Sequence, residues 1–174
     1  FGITYDAVVS REETSDGRTK HLLQRAPGVE AFYCQHLAEV ETTDGKKFQI
    51  RALEGELAVF PFRVSKGRFF QPNTYEAVAG KGLLDWLGLS VGEKITVILD
   101  GRHERPIAFE IVGQYPEPAN AGQMLMVSLP AVIRFDKEAK PDTYHLKLSP
   151  NANIAQLKQY LEPRPGADLN LSLT

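Results

Sequence analysis

The sequence predicts an α+β fold in which a β-α-β sandwich is split by an inserted β-rich subdomain. Residues 3–53 have the pattern of a β-α-β-β segment, and residues 143–173 have that of a β-α-β segment. In both, the strands have one apolar face and a helix to cover it. Short strands and tight turns dominate the residues between them. We therefore predict a discontinuous subdomain of residues 1–60 and 139–174, a single sheet with two helices on one face, and an inserted subdomain over residues 61–138.

The first elements are a half-buried strand and a short helix. Apolar and polar side chains alternate over residues 3–9, apart from Val8, which predicts the strand. Residues 19–25 predict a helix around Leu22 and Leu23. The helix must end near Ala26, because a Pro-Gly pair follows.

A long hairpin comes next, and residues 43–45 form its tip. A two-residue Asp-Gly loop would set Glu41 opposite Phe48. A three-residue loop, with a type I turn and Gly45 in the left-handed conformation, sets Val40 opposite Phe48 instead. Only the second register puts apolar residues on one face, so we predict the three-residue loop.

The last third of the chain predicts strand, helix and strand. Apolar and polar residues alternate over residues 143–148. Asn153 is placed to cap a helix, with Gln156 three residues later as its capping-box partner. Pro163 stops this helix, and a second alternating segment follows over residues 169–173.

The inserted subdomain centres on residues 76–97. They predict a short buried strand, one or two turns of helix, a turn and a second strand. Gly88 stands where a left-handed helix terminator is expected. Residues 107–111 predict a further strand that pairs with residues 95–99.

A buried strand over residues 124–129 and a short helix over residues 131–135 complete the insertion, with Pro130 opening the helix. Residues 57–70 predict an extended crossover into the insertion that ends in a turn at residues 66–68, and residues 136–142 predict a polar return linker. We expect the chain to cross between the two subdomains only at these two places.

The composition of the 174 residues is that of a globular protein, with 43% hydrophobic and 24% charged residues. A formal net charge of −2 gives no overall attraction to nucleic acid, so no nucleic-acid partner is expected. No apolar run approaches the ~20 residues of a membrane helix, and we expect no secretion signal in these residues. Because the chain opens at Phe1 without an initiator Met, we expect a fragment of a longer protein. Cys34 is the only cysteine, so an intrachain disulfide is impossible.

Few residues suggest metal or acid–base chemistry. Cys34 and His36 are two potential ligands on one strand face, but no third ligand is evident. We expect a buried thiol beside a partly exposed histidine, and no metal. His21, His103 and His145 stand in polar contexts, which predicts that they are solvated.

Motifs for catalysis are missing as well. The sequence has neither the Gly-x-Ser-x-Gly of serine hydrolases nor the His-Glu-x-x-His of zinc proteases. Gly80-Lys81-Gly82 lacks the Gly-x-x-x-x-Gly-Lys-Ser/Thr spacing of a phosphate loop. We predict no enzyme activity, no catalytic residue and no cofactor.

Four phenylalanines around the first crossing are the strongest candidates for a binding surface, namely Phe60, Phe62, Phe69 and Phe70. Two interpretations are open. The rings either line a cleft between the subdomains or pack in the core and the linker. Arg68, beside two of the rings, either steers an anionic partner or donates hydrogen bonds to turn carbonyls.

Three segments of the chain resemble a known family. Residues 67–70 are similar to the Gly-Arg-x-Phe element that opens its inserted subdomain. Residues 77–95 are similar to its run of valine-rich strand, Gly, short helix, Leu, Val-Gly-Asp/Glu and strand. Residues 109–113 are similar to its Phe-x-Val-Val-Gly strand. The chain thus resembles the extracytoplasmic (periplasmic) core domain of MacB/FtsX/LolC-type ABC transporter permeases, with a porter-like split sandwich and a sabre-like insertion.

The resemblance implies a non-enzymatic domain on the outer side of the cell membrane. Such a domain contacts substrate or partner proteins and transmits conformational change produced by ATP hydrolysis elsewhere. The partners it implies are the membrane helices of the parent permease and an ATP-binding subunit. An adaptor protein, a lipoprotein or another permease copy is a further candidate.

A second hypothesis comes from another class of protein. A run of Leu-Gly-Leu-x-Val-Gly-Glu-x-Ile also occurs where a helix turns into a barrel strand. The chain would then be a stand-alone small β-barrel that binds a ligand or acts as an enzyme. The matched β-α-β segments at the two ends favour the permease domain, because a simple barrel does not need them.

Overall fold

A computed structural model describes residues 5–11, 16–100, 105–161 and 169–173. The chain divides into two compact units. We call one the terminal unit, formed by Gly2–Gln35, Gly55–Pro61 and Lys140–Thr174. We call the other the inserted unit, formed by His36–Glu54 and Phe62–Ala139.

The hairpin is divided differently from the sequence-based interpretation. That interpretation placed all of residues 1–60 with the C-terminal segment, whereas the structure groups His36–Glu54 with the inserted unit. The described chain therefore passes between the units at four places instead of two. The difference arises because both strands of the hairpin continue past the boundary, which no local sequence signal marks.

The strands and helices follow the predicted order closely. In chain order they are β1 (Ala7–Arg11), α1 (Asp16–Gln24), β2 (Val29–Thr42), β3 (Lys47–Gly55), β4 (Lys66–Gly67), β5 (Glu76–Gly80), α2 (Lys81–Leu87), β6 (Lys94–Leu99), β7 (Ile107–Tyr115), β8 (Met124–Ser128), α3 (Leu129–Ile133), β9 (Thr143–Leu148), α4 (Ile154–Leu161) and β10 (Leu169–Leu173). None of the described helices is both long and apolar enough to span a membrane.

The terminal unit is an antiparallel sheet of order β10-β1-β9-β2, to which β2 contributes its first half. The chain enters it as β1-α1-β2 and returns as β9-α4-β10. This is the β-α-β-β-α-β arrangement of ferredoxin-like folds, here with the inserted unit between the second and third strands. The predicted split β-α-β sandwich is confirmed.

Both helices of the terminal unit cover the same face of its sheet. Leu23 of α1 and Leu157 of α4 are fully buried with Val9 and Tyr144 of the sheet in one apolar cluster. Burying a leucine side chain contributes about 1.5–3 kcal/mol relative to leaving it in water. The predicted cap of α4 is also present, since the Oδ1 of Asn153 accepts a hydrogen bond from Gln156 N at 3.0 Å.

The strands of the inserted unit close into a ring. Neighbouring strands pair in the order β2-β3-β8-β5-β7-β6, and β6 pairs with β2 again. The β3-β8 and β5-β7 pairs are parallel and the pairs of β6 and of β5-β8 are antiparallel. β4 adds an antiparallel partner to β7 outside the ring.

Apolar side chains from every strand of this ring meet in one core. Val40, Ile50, Val97, Phe109 and Leu125 are each at most 2% exposed. A small closed barrel is filled by its own side chains. A closed ring of strands is thus present with a packed interior, but it is one unit of a larger domain and not the stand-alone barrel of the alternative hypothesis.

The hairpin tip has the predicted three-residue loop. Thr42 N donates to Lys46 O at 2.9 Å, and Gly45 N donates to Thr42 O at 3.0 Å, which is a type I turn followed by a bulge. Gly45 has a φ of 86°. This pairing, continued along the strands, sets Val40 opposite Phe48, and both are buried. Gly88 ends α2 with a φ of 67°, also as predicted.

Two local predictions were wrong in detail. Residues 57–70 are not extended throughout, because Leu57–Val59 form a 3-10 turn. At the place of the turn predicted for residues 66–68, Lys66–Gly67 form the short strand β4. The helix predicted for residues 131–135 begins earlier, at Leu129, so that Pro130 lies inside its first turn. Pro130 is tolerated there because the backbone N–H groups of the first helical turn have no partner within the helix, so the missing N–H of proline costs no hydrogen bond.

Candidate functional site

The structure divides the predicted binding residues between the two units. Phe60 belongs to the terminal unit, whereas Phe62, Arg68, Phe69 and Phe70 belong to the inserted unit.

The three phenylalanines of the inserted unit form a stack. The rings of Phe62 and Phe69 are stacked with centroids 5.0 Å apart, and those of Phe69 and Phe70 with centroids 4.4 Å apart. Phe70 is buried, while Phe62 and Phe69 are half-buried. The stack therefore includes one core ring and two rings that keep part of their surface in water.

Arg68 extends this stack with a charged group. Its guanidinium forms a two-point ion pair with the Glu76 carboxylate, with Nη1 at 2.9 Å from Oε1 and Nη2 on Oε2. Nη1 also donates to the carbonyl of Phe69 at 3.2 Å, a bond to a turn carbonyl of the kind that the sequence suggested. The Arg68 side chain is 53% exposed and that of Glu76 only 16%. Arg68 is therefore oriented by a less exposed carboxylate and still reaches solvent.

Glu76 organises the turn that precedes β5. The hydrogen bonds from Arg68 are the main reason that its pKa is lowered to about 2, and a bond from Gln71 N at 2.9 Å adds to the effect against the opposing effect of burial. Thr74 Oγ1 donates to Gln71 O at 2.7 Å within the same turn. The carboxylate stays ionised at neutral pH and holds both Arg68 and the turn.

Two glycines explain why the Arg68 segment lies so close to β7. Gly67 pairs with Gly113 across β4 and β7, and Arg68 N donates to Val112 O at 2.9 Å. A Cβ on Gly67 would lie 2.1 Å from Val112 O, and one on Gly113 would lie 2.2 Å from Arg68 O. The Gly-Arg and Val-Gly segments that carry the family resemblance are thus opposite sides of one close main-chain contact.

Phe60 in the terminal unit is a buried ring that lines a groove. It makes an edge-to-face contact with Tyr33 at a centroid distance of 4.7 Å. The groove has a volume of about 450 Å³ and is lined by Tyr5, Asp6, Ala58, Val59, Phe60, Pro61 and Lys147. Val59 is 46% exposed, an unusually high value for an apolar residue here. Sequence reasoning found only Phe60. Ala58, Val59 and Pro61 are its neighbours in the chain, whereas Tyr5, Asp6 and Lys147 are distant in sequence, and no local pattern brings them to the groove.

His145 is not solvated, contrary to the prediction. It is 6% exposed, stacks on Tyr33 with centroids 4.6 Å apart and meets the edge of Tyr5. Its Nε2 is 2.9 Å from Thr143 Oγ1. The alternation in sequence predicts a polar, solvated face of β9 on the side opposite the helices. In the structure, the rings of Tyr5 and Tyr33 cover His145 on that face. His21 is exposed as predicted, and His103 lies outside the described residues.

A buried ionic cluster in the inserted unit was not predicted. Arg51 forms a two-point ion pair with Glu117, whose side chain is 2% exposed, and Tyr115 donates its hydroxyl to the same carboxylate. Burial raises the pKa of Glu117, but bonds from Arg51, Tyr115 and Ala119 N outweigh it and lower the pKa below its ordinary value. The one signal in the sequence for this cluster was the position of Glu117 between two prolines, Pro116 and Pro118. The cluster anchors the loop between β7 and β8.

The described residues contain no group of histidine, cysteine or acidic side chains that could hold a metal ion. Cys34 is buried and His36 is half-buried, which matches the expectation for that pair.

Comparison with known proteins places this architecture in a family. The family model of the MacB-like periplasmic core domain matches residues 4–164. No curated protein matches the sequence significantly.

Solved structures of bacterial permease domains share the fold. The periplasmic region of MacB from Actinobacillus actinomycetemcomitans is 13% identical, with a TM-score of 0.67 over 98% of this chain and 89% of that one. The extracellular domain of the ABC-type transporter YknZ from Gram-positive bacteria is 11% identical, with a TM-score of 0.64 over 96% and 98%. A domain of a putative permease from Porphyromonas gingivalis is 16% identical, with a TM-score of 0.57 over 98% and 90%.

The family match spans nearly all of the chain, and the split sandwich with its inserted β-rich unit is the fold of these structures. The chain therefore belongs to the MacB-like periplasmic core domain family and is an extracytoplasmic domain of an ABC transporter permease.

Proposed function

We propose that this domain contacts substrate or partner proteins outside the membrane and transmits conformational change driven by the ATP-binding subunit, without catalysis of its own. The observation that carries the proposal is the division into two units, each with a separate hydrophobic core. Units with cores of their own move relative to each other unless a large apolar interface prevents it. Relative motion is the property that a transmitting domain needs.

Two surfaces are proposed for the contacts. On the inserted unit, the half-buried rings of Phe62 and Phe69 lie beside Arg68, with Phe70 as their buried support. On the terminal unit, the groove above Phe60 exposes Val59. Aromatic rings and arginine are the side chains that most often carry binding energy in protein interfaces.

The test measures the distance between the units in the complete permease with its ATP-binding subunit. Spin labels are attached to cysteines introduced at Asp85 on α2 and at Lys158 on α4, both exposed positions. The buried Cys34 is left in place because it is inaccessible to the label. We expect the distance distribution to differ between the ATP-free and the ATP-bound transporter.

A label pair within the inserted unit, at Asp85 and Lys66, is the matched control and should give one distribution in both states. Identical distributions for the pair across the units, in a transporter that hydrolyses ATP, would contradict the proposal.

A further inference from the structure

A second surface of the inserted unit combines two arginines with two aromatic rings. Tyr75 and Phe135 meet edge to face with centroids 6.1 Å apart. The guanidinium carbon of Arg134 lies 5.5 Å from the centroid of Tyr75, and that of Arg105 lies 4.7 Å from the centroid of Phe135. Both distances are within the range of cation–π contacts. We call these four side chains the arginine–aromatic patch.

Among the residues that the structure describes, no carboxylate neutralises the cations of this patch. Arg105 and Arg134 are exposed, and in the described part of the chain neither guanidinium is within ion-pair distance of a carboxylate. Asp136, the next carboxylate along the chain, accepts a hydrogen bond from Glu138 N at 3.1 Å. Of the five N–H donors of Arg134, the structure uses one, toward Asn73.

The patch is also held in place before any partner arrives. Arg134 Nη2 donates to Asn73 Oδ1 at 2.7 Å. Asn73 itself has a φ of 61° and is fixed by a 2.8 Å bond from its N–H to the buried Ser128 Oγ. Glu110 N donates to Tyr75 O at 2.9 Å. Because these bonds fix the Arg134 guanidinium and the main chain at Asn73 and Tyr75 in advance, binding costs less conformational entropy.

We propose that the arginine–aromatic patch is a docking surface for an acidic segment of a partner protein. A planar guanidinium that lies over a ring presents its remaining donors in a fork that matches a carboxylate. Tyr75, 38% exposed, adds a rigid ring of the kind that anchors protein interfaces. The proposal deepens the proposed function and rests on it, since it names the chemistry of one partner.

An anionic membrane surface fits the patch less well. Recognition of anionic lipids takes clusters of about 4–8 Lys and Arg residues. Here two arginines stand with two rings, in a chain whose formal net charge is −2. Two separate cations on rigid rings suit individual carboxylates of a peptide better than a continuous negative surface.

The test uses the 174-residue chain and a fluorescein-labelled dodecapeptide, three repeats of Gly-Glu-Glu-Ser, in low salt. A peptide with every glutamate replaced by glutamine serves as the neutral probe. Fluorescence anisotropy should show at least tenfold tighter binding of the acidic peptide. The Arg105→Gln/Arg134→Gln double variant should bind the acidic peptide at least tenfold more weakly than the parent chain.

The matched control is Arg63→Gln/Lys66→Gln, which removes two exposed cations from the same unit and should leave binding within about twofold. Arg134→Lys keeps the charge but loses the planar fork, and we expect at least threefold weaker binding. Proton–nitrogen NMR spectra establish that each variant keeps its fold.

Three results would overturn the proposal. They are equal binding of the acidic and neutral peptides, unchanged binding by the double variant, and arginine-dependent binding to vesicles with 30 mol% phosphatidylglycerol in the absence of peptide binding. Each of these would leave the spin-label distances untouched, so failure of the patch is distinguishable from failure of the proposed function.

Discussion

At the scale of single residues, the Arg68–Glu76 pair links stability to pH in a defined direction. The pKa of Glu76 is lowered to about 2 in the folded chain, chiefly by Arg68. An acid whose pKa is lower in the folded than in the unfolded state stabilises the fold above its unfolded pKa of about 4.3. This contribution is lost as the pH falls from there toward 2.

We therefore expect Glu76→Gln to destabilise the domain at pH 7 and to cost much less at pH 3. Urea unfolding of both proteins at the two pH values measures the difference. Glu39→Gln, which changes an exposed glutamate on β2, is the control, and its effect on the free energy of unfolding should be the same at the two pH values. A Glu76→Gln penalty that is equally large at pH 3 would show that the pair does not supply the pH dependence.

At the scale of an element, the β2-β3 hairpin depends on one backbone conformation. Gly45 has a φ of 86°, and no atom lies within 4 Å of the position that a Cβ would occupy there. The cost of a side chain at this position is therefore backbone strain without a steric clash.

Gly45→Val should lower the free energy of unfolding by about 1–2 kcal/mol, because a β-branched residue is strained in the left-handed region. Gly45→Asn should cost less, since asparagine tolerates this region. Denaturant midpoints of the two variants make the comparison. Equal midpoints for Val and the parent chain would contradict the three-residue loop.

Element-scale features of this kind were the ones that sequence could predict. The turn at Gly45, the helix terminator at Gly88 and the cap at Asn153 depend on residues within a few positions of one another. The Arg51–Glu117 pair joins residues 66 positions apart, and no local pattern encodes which carboxylate meets which arginine. His145 was misassigned for the same reason, because the rings that cover it come from β2 and from Tyr5.

At the scale of the whole molecule, the order of the elements was predictable but the closure of the inserted unit was not. The ring depends on the parallel pairs β3-β8 and β5-β7 and on the β6-β2 pair, all of which join strands that are not consecutive in the chain. Alternation of apolar residues identifies a strand without identifying its neighbour. The family resemblance indicated a sabre-like insertion and did not specify this closure.

A second question at the scale of the whole molecule is whether the domain itself binds or hydrolyses nucleotides. The one glycine-rich segment with a lysine, Gly80-Lys81-Gly82, opens α2. A Cβ on Gly80 would lie 2.1 Å from Gly122 O, and one on Gly82 would lie 1.8 Å from Ala121 O. These glycines are therefore closed against the main chain of the 120–122 turn. In a phosphate loop, the corresponding backbone N–H groups surround an anion instead.

We expect the isolated 174-residue chain to bind no ATP in isothermal titration with Mg²⁺ present and to hydrolyse none. ATP hydrolysis then belongs to the ATP-binding partner of the permease, which fits the proposed role of this domain in transmitting conformational change. The complete permease with its ATP-binding subunit is the positive control for the assay. Saturable heat of ATP binding by the isolated chain that is lost in the Lys81→Ala variant would contradict the expectation. Such binding would require the start of α2 to move away from the 120–122 turn, so that its backbone N–H groups could surround an anion.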